Sequence, residues 1–137
     1  MSIENQQPTP TSPATPTSPA TSVTPPDLWP TIDALWSWLE AHRAHDGQEG
    51  LLLRILKLSE EVGEVAQAVI GATGQNPRKG ATHTWEDVQA ELCDVVITAL
   101  VALRTLTPEA EAVFAGHLAR VAERSSGRAG QGGTDAR

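Results

Sequence analysis

The sequence predicts an all-α fold, an antiparallel four-helix bundle-like protomer, on three observations. Apolar residues recur at three- and four-residue intervals through the middle of the chain. No stretch shows the alternation or β-branched clustering of a strand. Capping and breaker residues fall where one periodic run gives way to the next.

The elements follow in order. Thr31 is placed to cap a first helix running to about Arg43, with Ile32, Leu35, Trp36 and Leu39 on one face. Asp46-Gly47 breaks the pattern, and a longer helix extends from about Glu49 to Ile70, ended by Gly71 and Gly74. The loop GATGQNPRKGATH is turn-forming throughout. Thr84 caps a third helix with Asp87 at the reciprocal capping-box position, and this helix reaches about Thr105. Thr107-Pro108 then starts a fourth, because proline in the first turn gives up no needed hydrogen bond. The folded unit is residues 28–124. Residues 1–26, rich in Pro, Thr and Ser, cannot bury enough apolar surface to offset their ordering entropy, and they read as a disordered tail. Residues 125–137 read as a flexible end.

Bulk properties narrow the function. A net charge of −7 argues against binding a nucleic-acid polymer, which calls for a basic stripe. A lone cysteine, Cys93, excludes an internal disulfide and reads as a small buried residue. The start of the chain lacks a basic segment followed by an apolar run, and the longest apolar run, residues 92–103, is short for a bilayer and broken by Asp94. The expected setting is the cytoplasm, away from membranes.

Chemistry concentrates on helices two and three. Helix two places Leu52, Ile55, Leu58, Val62, Val65, Ala66 and Val69 on one broad stripe, with Glu60, Glu61 and Glu64 on the other side. Alone, that acidic face equally suits a solvated helix. Helix three, ELCDVVITALVAL, is apolar almost all round and so expected to be buried on most sides. Yet Asp87, Glu91, Asp94 and Thr98 run along one line through it. Ionised carboxylates in such surroundings need a compensating cation. The chain has two lysines, Lys57 and Lys79, and no arginine within a helical turn of Asp94. Glu61 and Glu64 are three residues apart, as are Glu91 and Asp94, so two antiparallel helices would bring four carboxylates together. Oxygen-only ligands suit Mg²⁺, or Mn²⁺, rather than zinc.

EEVGE (residues 60–64) followed by ELCD (residues 91–94) resembles the EExxE…ExxD signature of the MazG-like family, within the all-α nucleoside triphosphate pyrophosphatase superfamily. The resemblance spans about residues 51–103. It implies Mg²⁺-dependent hydrolysis of a nucleoside triphosphate to monophosphate and pyrophosphate, and a homodimer or dimer of dimers. On this reading Glu61, Glu64, Glu91 and Asp94 hold the metal, and Glu60 orients or deprotonates the attacking water. Lys57, Arg78 and Lys79 are candidate phosphate contacts, with Arg120 and Arg124 further along. Trp38, off the apolar stripe of helix one, is a candidate to stack on a nucleobase, whereas Trp85 is expected in the core. His83 and His117 lack ligand-like spacing. The outer residues Leu53 and Ala68 are expected to need cover from a second subunit. Two other readings stay open: a superfamily relative acting on another pyrophosphate-containing nucleotide, and a non-catalytic helical dimer with a regulatory or binding role.

Overall fold

A computed structural model describes residues 27–129. The expected N-terminal tail and residues 130–137 lie outside the described residues. Four helices make up the fold: α1 Leu28–Ala41, α2 Gly47–Thr73, α3 Trp85–Leu106 and α4 Ala110–Ala129. No strand occurs among the described residues.

Helix α1 starts earlier than the sequence suggests. Thr31 lies inside it, its N–H donating to Asp27 O at 3.1 Å, rather than at its cap. Pro30 sits in the first turn, where its missing N–H leaves no helical acceptor unsatisfied. Helix α2 runs through Gly71 and stops at Gly74, whose left-handed backbone (φ 62°) lets its N–H reach Gly71 O and Ile70 O. Gly71 serves a different purpose. The loop folds back on it, with Thr82 N–H donating to Gly71 O at 3.0 Å, and a Cβ there would overlap the His83 ring. The capping box of α3 forms in both directions: Asp87 N–H donates to Thr84 Oγ1 (3.2 Å), and Thr84 N–H to Asp87 Oδ2 (2.7 Å). Helix α4 continues past Ser125 to Ala129, into the segment whose composition suggested a flexible end.

Helix α3 is the centre of the fold, packing along α2, against α1, and least against α4. Cross-helix pairs fix the directions. Arg54 of α2 meets Thr105 near one end of α3, while Gly71 meets Thr82 at the other, so the two helices are antiparallel. Because α1 and α2 both lean on α3 and scarcely on each other, a space opens between them. The core is small: Ile32, Leu100 and Val101, flanked by Trp29, Trp36 and Leu39. The Arg104 guanidinium lies 4.1 Å over the Trp36 ring and bonds Asp33 at 2.6 Å, tying α3 to α1. Trp29 and Phe114, 6.0 Å apart, join α1 to α4.

Several burial expectations are corrected. Helix α3 is not buried on most sides: Leu92, Cys93, Val96 and Ile97 are exposed, since none of the described residues covers its outer face. Trp85 is exposed on the first turn instead of lying in the core. Leu53 is exposed as expected, but Ala68 is 1 % exposed, on the inner face of α2. On that helix Leu52, Val62 and Ala66 of the apolar stripe face outward, while Glu61 is buried. Helix α2 is therefore turned so that acidic residues meet α3.

Two of the glycines of α2, Gly63 and Gly71, make a direct test of this packing. Gly71→Ala must displace the 82–83 segment and is expected to cost about 1–3 kcal/mol. At Gly63 an added Cβ meets nothing within 4 Å, so Gly63→Ala should stabilise by up to about 1 kcal/mol through helix propensity. Thermal melts of the two variants should move in opposite directions.

Candidate metal centre

The turning of α2 gives the site its geometry. Glu61 and Glu64 project from adjacent turns toward α3, where Glu91 faces them. Each offers a carboxylate oxygen within 4.8 Å of the others. Glu61 is buried, its side chain 9 % exposed, and Glu64 and Glu91 are half-buried. The three come from both halves of the sequence motif.

Three like charges so close repel one another. Burial raises the pKa of Glu64, and the Glu61 charge, a hydrogen bond with Glu61 and the Glu91 charge push it further in the same direction, while Lys57 opposes them. Lys57 supplies the local compensation, its Nζ lying 2.9 Å from Glu60 Oε2 and 3.0 Å from Glu61 Oε1. Those two hydrogen bonds hold its pKa above the ordinary lysine value, so it stays an ammonium.

Asp94, Glu60 and the loop cations are placed differently. Asp94 is exposed and stands outside the group of three, one turn along α3 from Glu91. Glu60 is also exposed and points to Lys57 rather than into the cluster. Arg78 and Lys79 are exposed on the α2–α3 loop. Lys79 lines a cavity of ≈ 140 Å³ with Gly71, Thr82 and His83, at the C-terminal end of α2. Arg120 and Arg124 are exposed on α4, and His117 lies 3.5 Å from Arg120. His83 bonds its neighbour Thr82.

Beside the cluster is the space between α1 and α2, a cavity of ≈ 360 Å³. Leu35, Trp38 and Leu39 form one wall, Ile97, Thr98 and Val101 the back, and Arg54 and Lys57 the edge. Trp38 is exposed and stacks on His42 with ring centroids 4.7 Å apart. Arg54 is committed elsewhere, donating to Glu40 at 2.6 Å and to Thr105 at 3.0 Å. This cavity is invisible to a reading by helical faces, because it is a gap between two elements. Its sequence signals are Trp38, off the apolar stripe of α1, Lys57 on the polar side of α2, and Thr98, which shares a line with Glu91.

The donor set fits a hard divalent cation: carboxylate oxygens only, drawn from two rigid helices. Oxygens around one Mg²⁺ lie at most about 4.2 Å apart, the same scale as the spacing of these three. Comparison with models of protein families, with curated proteins and with solved structures gave no match to this chain.

Titration with Mn²⁺ by calorimetry tests the centre. Glu91→Gln should weaken binding about tenfold or more, and Asp94→Asn should weaken it less. An equal loss would mean that Asp94 turns inward to share the ion. The pH dependence follows from Glu64. Its raised pKa means the folded chain holds that proton more tightly than the unfolded chain does. The resulting stability is fully present below the unfolded carboxylate value and is lost as pH rises through the folded one. Metal-free protein should therefore melt higher near pH 4 than near pH 7 with respect to this group, and Glu64→Gln should flatten that slope.

Proposed function

We propose that this chain is a nucleoside triphosphate pyrophosphohydrolase of the MazG-like type, dependent on Mg²⁺ or Mn²⁺ and acting on an NTP or dNTP. The observation that supports this most is the placing of Glu61, Glu64 and Glu91 within 4.8 Å of one another, beside an apolar cavity fit for a flat ring.

The chemistry asks little covalent help of the protein. A bound divalent cation would neutralise phosphate oxygens and lower the cost of charge developing between the α and β phosphates. Glu61, Glu64 and Glu91 hold it, and Asp94, one turn along α3 from Glu91, is the fourth candidate ligand. Trp38 offers an aromatic face at the rim of the cavity, where a nucleobase would stack. The cavity walls are almost wholly apolar, so the base is held by shape and stacking. Glu60 and Glu61 reach the same ammonium, which puts the Glu60 carboxylate at the margin of the cluster. From there it orients or deprotonates the attacking water. Lys57, at the junction of cavity and cluster, contacts phosphate. Arg78 and Lys79, exposed on the α2–α3 loop, are further candidate phosphate contacts.

Assembly belongs to the same proposal. Leu92 and Val96 on α3, with Val113, Phe114, Leu118 and Val121 on α4, are exposed, and a core of this size is marginal for a lone protomer. A homodimer or dimer of dimers would cover these faces, and a monomer mass by light scattering would remove that part of the proposal.

A non-catalytic helical dimer is favoured by one observation, that Lys57 already neutralises Glu61. Pyrophosphate release from a panel of NTPs and dNTPs, with and without Mg²⁺, separates the two. Release that needs the metal and falls at least a hundredfold in Glu60→Gln is the expected outcome. Absence of release from every nucleotide, with no metal affinity, selects the binding module.

A further inference from the structure

Lys57 is placed to serve two sites at once. Its Nζ sits between Glu60 and Glu61, against the carboxylate cluster, while its stem forms part of the cavity edge. Arg54, the other cation on that edge, is held by Glu40 and Thr105 with its side chain 14 % exposed. Lys57 is 45 % exposed and has room to turn.

Its present position conflicts with a metal on Glu61. An ammonium 3.0 Å from Glu61 Oε1 would lie within a few ångströms of a divalent ion taking that oxygen, and like charges at such range repel strongly. The ion would also remove the negative charge that holds the ammonium there. The four-carbon stem lets the head move without disturbing the helix, and the cavity edge is where an anionic polyphosphate would arrive.

Resting on the metal-centre reading, we propose that Lys57 is an exchangeable internal counter-ion: it neutralises Glu61 until a divalent cation loads, then turns its ammonium to the polyphosphate of the nucleotide. Metal and nucleotide then bind in a coupled way, because loading the first frees a cation for the second. The coupling is reciprocal, so nucleotide tightens metal binding by the same factor. Lys57 is thus a switchable phosphate ligand, and an order of events, metal before nucleotide, is built into one side chain.

The test uses the full chain, Lys57→Met and Lys57→Arg, with Mn²⁺ and a non-hydrolysable nucleoside triphosphate analogue in calorimetry. Lys57→Met should bind Mn²⁺ about tenfold tighter, since the competing positive charge is gone. It should bind the analogue about tenfold weaker in the presence of Mn²⁺, and the metal–nucleotide coupling should fall to what the ion's own contact with phosphate supplies. Without metal, Lys57→Met should melt below wild type, and Mn²⁺ should close the gap. Lys57→Arg should keep the wild-type pattern. Unchanged or weaker Mn²⁺ binding by Lys57→Met overturns the exchange while leaving the metal centre standing. No Mn²⁺ binding by wild type removes both. A measurement on wild type alone guards against misfolding of the variants: the assigned Lys57 side-chain resonance should shift when Mg²⁺ is added without nucleotide. An unmoved resonance overturns the proposal.

Discussion

Glu61 is an ionisable group held almost out of water by the packing of α2 on α3, and most of the site follows from that one constraint. A carboxylate in such surroundings cannot stay charged without a nearby cation or strong donors. Lys57, one turn back on the same helix, meets the need at 3.0 Å. The same packing brings Glu64 and Glu91 up against Glu61 and leaves an excess of negative charge that one ammonium does not cancel. Burial raises the pKa of Glu64, and that excess of charge pushes it further the same way. A surface built this way has a built-in appetite for more positive charge.

The fold accommodates the site at some cost to its own stability. The inner face of α2 carries Arg54, Glu61 and Glu64 where a bundle built only for stability would carry apolar side chains. Apolar residues that would otherwise fill the interface, such as Leu52 and Val62, face outward. Only Ile32 is both large and fully buried among the described residues. Electrostatic ties take part of the load, as in Arg104 between Trp36 and Asp33, or Arg54 between Glu40 and Thr105. The outward apolar faces then give a physical reason for association, since burying them elsewhere would return part of what the core lacks.

Cavity and cluster are joined by geometry as well as charge. Both α1 and α2 rest on α3, and the gap between them opens beside the acidic turns. Trp38 at one rim and Lys57 at the edge give the space an aromatic face and a cationic corner.

Local chemistry alone determined the helices, the breaks at Asp46-Gly47 and Gly74, and the Thr84–Asp87 capping box, because each depends on residues within a turn of one another. The pairing of Glu61 and Glu64 with Glu91 was also legible, since three-residue spacing fixes which side chains share a face. Tertiary structure decided which face of α2 turned inward. Helical periodicity separates an apolar side from a polar one, but it carries no statement of which side meets a neighbour when both are needed. The exposure of Cys93, Val96 and Trp85, the outward position of Asp94 and the close approach at Gly71 have the same origin. Each depends on where a second element lies, and that position is set by the packing of the whole chain.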